Sequence, residues 1–243
     1  MIERSALPLA GVLGDRAAQV FTDLHRENGV NFRLEEQVHS IVGAADSPAT
    51  TVILESGAEI DADLVVVGVG ALPNTDLAAH SGLEVDDGIM VDEHLRTADP
   101  AVFAAGDVAR AFHPLLGRHV RVEHWANAVH QPVVAARSMM GRHDTYERLP
   151  YFYTDQYDLG MEYVGHAPPG SYDNVVFRGD VAGRQFIAFW LRENRALAAM
   201  AVNTWDVIDE VTAIVREGTI LDIHRLTDAD VPLSAHLQSE AKP

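Results

Sequence analysis

The chain has 243 residues, of which 47% are hydrophobic and 22% are charged, and it contains no cysteine. Without cysteine it can hold no disulfide, no cysteine-ligated metal or iron–sulfur site and no redox-active cysteine pair, so any redox chemistry must use a bound cofactor. Its formal net charge of −18 would be repelled by nucleic acid and by an anionic membrane surface, and we expect neither as a partner.

The first part of the chain alternates helical and extended patterns. Residues 1–3 are typical of the end of a strand, and residues 13–28 repeat apolar positions at helical spacing before Gly29. Residues 63–70 form a continuous β-branched run, which predicts a strand buried on both faces. Short strands are predicted between these two segments, at 30–34, 39–44 and 50–56.

The next segment continues the same α/β pattern. A loop and a short helix are expected over residues 71–83, and two more strands over 88–97 and 101–107. A helix is predicted from Trp125 to Met140, with Gly141 as its closing residue. We therefore expect an α/β architecture up to about residue 146.

The pattern changes after Pro150, where short strands are joined by tight turns. This spacing predicts an antiparallel sheet. A final helix is expected with Thr204 as its N-cap, a buried stripe that includes Val211 and Ile214, and Gly218 at its end. The predicted fold is thus an α/β part followed by an α+β antiparallel domain. The four strands are predicted at 159–167, 174–180, 184–193 and 195–203.

Targeting and metal-binding signals are weak. The apolar run at 64–72 falls far short of the roughly 20 residues that a membrane-spanning helix needs. The first residues are a poor signal peptide, because Glu3 comes early and the apolar stretch is brief. The 12 histidines show no spacing typical of a metal site. We expect a cytoplasmic protein without metal ligands.

One motif stands out, the segment VFAAGDVAR at residues 102–110. The common interpretation is a buried strand followed by an aspartate turn. The alternative is a ligand contact, in which Gly106 lets the backbone approach closely and Asp107 accepts hydrogen bonds from hydroxyl groups. A carboxylate repels phosphate, so a sugar or a sugar alcohol suits Asp107.

Three ordered motifs carry a resemblance to a known family. Residues 96–110 resemble the second flavin-binding motif of flavoproteins with two dinucleotide-binding domains. Residues 123–141 resemble the helix that follows in oxygenase-coupled ferredoxin reductases, and residues 149–166 resemble the start of their C-terminal domain. The chain therefore resembles the ferredoxin/rubredoxin reductases of the pyridine nucleotide-disulfide oxidoreductase superfamily, which include apoptosis-inducing-factor-like proteins.

The resemblance implies a domain organisation. Residues 1–72 would be the C-terminal part of an NAD(P)H-binding domain, and residues 73–146 the second half of an FAD-binding domain. Residues 147–243 would be the reductase C-terminal α+β domain. The fold class is then a partial two-dinucleotide-binding-domain α/β flavoprotein followed by an antiparallel α+β domain.

The resemblance also implies a flavin site. Asp107, with Gly106 beside it, would hold a ribityl hydroxyl of FAD, and Trp125 would cover the isoalloxazine ring. The helix that starts near Trp125 presents free N–H groups and a positive dipole end, which favour the negative charge of reduced flavin. A core tryptophan is the open alternative. The other residues expected near the flavin are Glu123, His124, Ala126 and Tyr153, with Thr154 and Asp155, for which an ordinary strand start is as plausible.

Nucleotide binding is expected in the first part of the chain. Glu3 resembles the acidic residue that ends the second strand of a Rossmann unit and binds ribose hydroxyls, which favours NADH over NADPH. An ordinary surface glutamate is the alternative. Gly68 and Gly70 follow a predicted strand, but Pro73 occupies the position of the third glycine, so this is no phosphate loop. By resemblance, both glycines are close-approach positions near the nicotinamide.

Because there is no cysteine pair beside the flavin, electrons should leave it directly for a protein. The implied activity is transfer from NAD(P)H through FAD to a ferredoxin- or rubredoxin-type acceptor. Six arginines but only three acids lie between residues 110 and 148, which predicts a surface that attracts an acidic partner. A surface of mixed charge is equally plausible. The arginines are Arg110, Arg118, Arg121, Arg137, Arg142 and Arg148.

The family's two Gly-x-Gly-x-x-Gly loops are absent from these 243 residues. We therefore expect an incomplete chain, with the apolar run at 63–70 exposed and with weak or no FAD binding by the chain alone. The alternative function is a non-catalytic remnant or an interaction and dimerisation module. A homodimer is possible in either case.

Overall fold

The computed structural model describes residues 1–43 and 50–237. The chain divides into two compact units, Met1–Gly70 and Ala71–Pro243. Mixed α/β structure precedes an antiparallel sheet with flanking helices, which confirms the predicted fold class. Within the described residues, no helix combines the length and the apolar character that crossing a membrane requires.

The first unit begins with a strand–helix–strand arrangement. Strand β1 (Ile2–Glu3) pairs in parallel with β2 (Arg33–Leu34), and helix α1 (Ala10–Glu27) connects them. The predicted helix is present and starts three residues earlier than expected, with a kink at Gly14. Gly29 follows the helix with a φ of 83°, the left-handed conformation that glycine adopts without steric cost.

A small antiparallel sheet completes the first unit. It contains β3 (Val38–Gly43), β4 (Thr50–Leu54) and β5 (Glu59–Ala62), in that order. The predicted strand at 39–44 corresponds to β3, and its last residue lies outside the described residues. The predicted strand at 50–56 ends two residues early, at Leu54.

The predicted strand at 63–70 is wrong. This segment has no regular secondary structure, and its apolar side chains are exposed, with Val66 and Val69 at 86% and 89% of their accessible surface. A strand buried on both faces needs strands on each side and cover on each face. None of the described residues provides such a neighbour for 63–70, so the segment remains extended and exposed. The expected exposure of this run is observed.

The second unit begins with a mixed three-stranded sheet. Strand β6 (Ile89–Val91) pairs in parallel with β7 (Ala109–His113), which pairs antiparallel with β8 (Arg118–Arg121). Two helices flank these strands in the chain, the short α2 (Asp76–His80) and the long α3 (Trp125–Met139). A buried cluster packs between sheet and helix, and it contains Val91, Leu95, Ala104, Ala109, Ala111, Ala135 and Tyr146.

The predicted strand at 101–107 is also wrong. Only a single bridge, between Arg96 and Phe103, pairs this segment with another. Gly106–Val108 form a 3₁₀ turn, and the φ of Gly106 is 78°, a value incompatible with a strand. The Gly-Asp motif therefore lies in a turn directly before β7.

The C-terminal domain contains one antiparallel sheet, as predicted, and it has five strands where the sequence predicted four. Its strand order is β11-β12-β13-β10-β9, so β9 and β11 form its edges. The two central hairpin strands are almost entirely buried, and Trp190 has no exposed surface. The strands are β9 (Tyr151–Gln156), β10 (Leu159–Gly165), β11 (Asn174–Asp180), β12 (Gln185–Arg192) and β13 (Arg195–Val202).

Two helices follow this sheet, α4 (Ile208–Glu217) and α5 (Ile223–Thr227). The predicted stripe of α4 is buried, with Val211 and Ile214 in the core, and Gly218 ends the helix with a φ of 57°. The predicted N-cap is wrong. Thr204 donates its hydroxyl to the carbonyl of Val202 at 3.0 Å, and the helix begins four residues later.

Candidate functional site

The N-terminal end of α3 is open to solvent. His124 is the N-cap, in an extended conformation, and its side chain makes no capping hydrogen bond. Its carbonyl accepts from the N–H groups of Asn127 at 2.9 Å and Ala128 at 3.1 Å. The N–H groups of Trp125 and Ala126 have no carbonyl within the helix to bond, and the first turn has no acidic residue. This helix end can therefore accept an anionic or polar ligand group.

A cleft of about 410 Å³ opens at this helix end. The loop before α3, the first turn of α3 and the first half of β9 supply its walls. Its lining residues are Glu123, His124, Trp125, Ala126, Tyr151, Phe152 and Tyr153. The structure thus brings together five of the residues predicted from the sequence. It adds Tyr151, which the alternation along β9 places on the same face as Tyr153, and Phe152 between them.

Aromatic side chains dominate the cleft. Trp125 is 72% exposed and Tyr153 is 58% exposed, so the alternative of a core tryptophan is wrong. The ring centroid of Phe152 lies 4.8 Å from that of His124 and 4.8 Å from that of Tyr163. Tyr163 in turn contacts the buried Trp190. The cleft thus combines a rigid aromatic base with accessible rings that can stack on a flat ligand.

Burial shapes the ionisation of the cleft. It lowers the pKa of His124, and the nearby charges of Asp107 and Glu123 oppose this shift. The Nδ1 atom of His124 is buried and has no partner in the part of the chain that the structure describes. Burial also raises the pKa of Tyr151, whose hydroxyl donates to Glu162 Oε1 at 2.6 Å. At neutral pH both rings are therefore uncharged.

Asp107 presents a free carboxylate. Its side chain is exposed, and among residues 1–43 and 50–237 it has neither a hydrogen-bond nor an ion-pair partner. It is close enough to His124 to affect the pKa of that residue. Gly106 is buried beside it with a positive φ, so a side chain there would strain the turn. Both residues keep the features that the ligand-contact prediction requires.

Two buried amide side chains escaped the sequence prediction. Gln131 Oε1 accepts from the N–H of Gly106 at 2.8 Å, and Asn127 Nδ2 donates to the carbonyl of Val122 at 3.0 Å. Both lie on the buried face of α3. The signal was present in the sequence as two amides four residues apart among apolar positions, a spacing that places them on one helix face.

The other predicted residues lie outside the cleft. Thr154 and Asp155 continue β9 but are not among its lining residues. Glu3 ends β1 in the first unit, and its Oε1 accepts from the N–H of Ser5 at 2.8 Å. Gly68 and Gly70 lie in the extended exposed segment of that unit, and the φ of Gly70 is 97°.

The six arginines divide into two groups. Arg110 pairs with Asp86 at 3.0 Å, and Arg121 pairs with Asp87 at 3.2 Å. Arg137 similarly pairs with Asp144, at 3.0 Å. Arg118, Arg142 and Arg148 are exposed and form no ion pair with any described residue. Half of the predicted positive charge is therefore locally compensated.

Comparisons with known proteins agree with this architecture. The family described as pyridine nucleotide-disulphide oxidoreductase matches residues 1–132, and the family described as reductase C-terminal matches residues 151–237. Together they include both the N-terminal α/β part and the antiparallel domain.

Several relatives are ferredoxin reductases. The ferredoxin–NAD(+) reductase component of the anthranilate 1,2-dioxygenase system of Burkholderia cepacia is 42% identical over 88% of this chain and 52% of its own length. Putidaredoxin reductase of Pseudomonas putida is 35% identical over 96% of this chain and 55% of its own length. The reductase in a covalent putidaredoxin reductase–putidaredoxin complex superposes with a TM-score of 0.89 at 34% identity, covering 97% of this chain and 56% of that chain.

This chain therefore spans about half the length of the curated relatives that it matches. The first family match covers more than half of the chain, including α1, the Gly-Asp turn and the first turn of α3. The cleft residues from Glu123 to Ala126 fall inside this match, and Tyr151 to Tyr153 begin the second match. The chain belongs to the pyridine nucleotide-disulphide oxidoreductase family.

Proposed function

We propose that this chain supplies the flavin-facing part of an FAD-dependent oxidoreductase, which passes electrons from NAD(P)H to a ferredoxin- or rubredoxin-type protein. The observation that carries the proposal is the aromatic cleft at the start of α3. The cleft residues would hold the flavin ring, and bound FAD would supply the hydride-accepting and electron-releasing chemistry. The described side chains bind and orient; none of them is required as a nucleophile.

The chemistry of the cleft fits the ring and ribityl parts of FAD. Trp125 is accessible for stacking, and the N–H groups at the start of α3 suit the partial negative charge of the flavin carbonyl. Asp107 has a free carboxylate that can accept hydrogen bonds from ribityl hydroxyls. Glu123, His124, Ala126 and Tyr153 would line the ring, and Gly106 would leave room for it.

The pyrophosphate of FAD has no comparable site. No Gly-x-Gly-x-x-Gly loop occurs in the 243 residues, and such loops supply the backbone N–H groups that bind dinucleotide phosphates. We therefore expect the chain alone to bind FAD with low affinity. A purified sample that stays yellow with stoichiometric FAD after gel filtration would contradict this expectation.

For the nicotinamide cofactor we propose a preference for NADH. Glu3 ends a strand that is followed by α1, and the Ser5 N–H holds its carboxylate. A carboxylate in this position accepts hydrogen bonds from ribose hydroxyls and repels a 2′-phosphate. Gly68 and Gly70 would lie near the nicotinamide. Replacement Glu3→Gln should weaken discrimination against NADPH, which competition binding of the two nucleotides would measure.

We retain the proposed boundaries, with NAD(P)H binding in 1–72, FAD binding in 73–146 and the reductase C-terminal domain in 147–243. The division into units at Gly70 and the reductase C-terminal match at 151–237 support them. Expression of residues 147–243 alone should yield a folded antiparallel domain. A homodimer stays a prediction.

The proposed acceptor is an acidic iron–sulfur or rubredoxin-type protein. The relatives' names support this, since one of them is the reductase in a complex with putidaredoxin. The unpaired arginines Arg118, Arg142 and Arg148 are the candidates for steering it, because charges already paired with acids contribute little to the long-range field. Charge removal at these positions should slow association more than removal at Arg110.

The proposal is tested by NADH-dependent reduction of a dye, and then of a ferredoxin, by the chain at excess FAD. We expect weak activity that Asp107→Ala lowers and that the control Asp158→Ala, an exposed carboxylate elsewhere, leaves unchanged. A folded circular-dichroism spectrum with no activity and no flavin binding would instead support the alternative, a non-catalytic interaction module.

A further inference from the structure

Gln131 is a buried polar side chain on helix α3. It is 3% exposed on the buried face of α3, which it shares with Asn127, Ala135 and Ser138. A buried amide oxygen needs a hydrogen-bond donor, because burial removes its hydrogen bonds to water and an unpaired acceptor gains none in return. The donor is a backbone group 25 residues earlier in the chain, the N–H of Gly106, at 2.8 Å.

The Gly106 N–H is the amide at which the backbone changes direction. Ala105 before it is extended, with φ −148° and ψ 157°, and Gly106 itself has a φ of 78°. The turn also packs on α3, since a Cβ built on Gly106 would lie 3.8 Å from the Cα of Ala128. In α3, Ala128 thus packs near the turn, and Gln131 accepts a hydrogen bond from the N–H of Gly106.

The next residue in the turn is Asp107, whose carboxylate has no partner among the described residues. The direction of this side chain therefore depends on the backbone of the turn. The hydrogen bond from Gly106 to Gln131 ties that backbone to α3, the helix that also bears Trp125 and the cleft.

We propose that Gln131 is a positioning residue, which fixes the Gly106–Asp107 turn against α3 and so holds the Asp107 carboxylate at the N-terminal end of that helix. The identity of the ligand that the Asp107 carboxylate would bind, the ribityl chain of FAD, rests on the proposed function. The geometric role does not, so it can be tested without the cofactor.

His124 serves as the internal probe. The groups that face it are Asp107 and Glu123, whose charges raise its pKa against the effect of burial, and His166, which shares its surroundings. If Asp107 is held in place, Asp107→Asn lowers the pKa of His124. Gln131→Leu, which keeps the approximate size of the side chain and removes the hydrogen-bond acceptor, should also lower the pKa of His124. The double variant should show no further decrease beyond Asp107→Asn alone.

Amide hydrogen exchange of the ligand-free 243-residue chain supplies a second readout. Gln131→Leu should speed exchange at Gly106 by about tenfold or more, while β7 retains its protection. Gln131→Glu, which restores an acceptor oxygen, should recover slow exchange at Gly106. This rescue separates the hydrogen bond from a general loss of stability in the leucine variant.

The outcomes are distinct. A His124 pKa that responds to Asp107→Asn but not to Gln131→Leu would overturn the positioning role, as would a His124 pKa that responds to neither change. Fluorescence titration with FAD provides the separate arm, in which Gln131→Leu should weaken any binding. Absence of FAD binding by the wild-type chain would agree with the missing phosphate loops, and the His124 pKa and the exchange rate at Gly106 would then decide the role of Gln131.

Discussion

The indole of Trp205 lies directly over Gly160, at the start of β10. A Cβ built on Gly160 would stand only 2.9 Å from Cζ2 of Trp205 and even closer to its Cη2. The loop that carries the indole is tied to the same glycine, since Asn203 Oδ1 accepts from the N–H of Gly160 at 2.8 Å and the N–H of Asn203 donates to its carbonyl at 2.9 Å. The glycine is required by this contact.

We therefore expect Gly160→Ala to displace the indole and to lower the free energy of unfolding by about 1–3 kcal/mol, the usual cost of overpacking. Urea unfolding would measure the loss. In a Trp205→Ala background the same replacement should cost much less, because the clashing ring is gone. An equal cost in both backgrounds would place the strain elsewhere.

Trp125 should be dispensable for folding. Its side chain is largely exposed, so Trp125→Ala is expected to change the free energy of unfolding by no more than about 0.5 kcal/mol. Iodide should quench the emission of Trp125 but not that of the buried Trp190. The comparison variant Phe152→Ala should cost much more, since that ring packs against Tyr163. A large loss from Trp125→Ala would contradict the exposed placement.

Arg178 organises the C-terminal segment. Its guanidinium donates to four backbone carbonyls, those of Leu226 at 3.2 Å, Ala229 at 3.1 Å, Val231 at 2.6 Å and Asp228. The planar guanidinium presents its N–H donors in a wide, fixed fork, whereas an ammonium group has fewer donors and carries them on a single nitrogen. Arg178→Lys should therefore lower the free energy of unfolding by about 1.5–3 kcal/mol.

Arg178→Lys should also expose residues 223–237 to proteolysis before the sheet unfolds. The matched control is Arg192→Lys, at an exposed end of β12. If both variants behave alike, the carbonyl contacts of Arg178 contribute nothing specific.

Histidine burial predicts a pH dependence of stability. Burial, and to a smaller extent the neighbouring positive charge of Arg118, lowers the pKa of His166 to about 4. The ordinary value is 6.5, so between these two values the unfolded chain binds more protons than the folded chain. The contribution is fully present above pH 6.5 and is lost progressively as the pH falls towards about 4.

This dependence is measured by urea unfolding at about pH 7.5 and about pH 5. The wild-type chain should lose about 2 kcal/mol more than His166→Asn over this interval. The control His143→Asn, an exposed histidine, should match the wild-type decrease. A His166→Asn variant with an unchanged pH dependence would show that His166 is not held neutral by its surroundings.

Local patterns were sufficient for some elements. The helix from Trp125 was predictable because its buried residues recur at helical spacing and Gly141 follows it. The antiparallel sheet was predictable because tight turns separate short apolar strands, as between β12 and β13. In both cases the information lies within about ten neighbouring residues, which is the range over which periodicity acts.

Other elements depended on contacts that local patterns do not contain. The run at 63–70 has strand composition, but a strand needs a partner, and no described residue pairs with it. The segment at 101–107 is apolar enough for a strand, yet the positive φ of Gly106 turns the chain before β7 begins. Propensity describes what a segment can adopt, and tertiary neighbours select the outcome.

The features of the candidate site likewise divide into those that the sequence predicts and those that only tertiary contacts define. The residue types of the cleft were identifiable from the chain itself, because Trp125 begins a helix and Asp107 follows a glycine that permits close approach. The absence of cysteine from these 243 residues was likewise evident from the sequence alone, and it excludes a redox-active cysteine pair within them. Only the tertiary structure decided that Trp125 is exposed, that Gln131 holds Gly106, and that Arg110 and Arg121 are paired with acids. The last three contacts join residues more than 20 positions apart. Such pairs form only when helix and sheet pack together, and local sequence patterns do not show them.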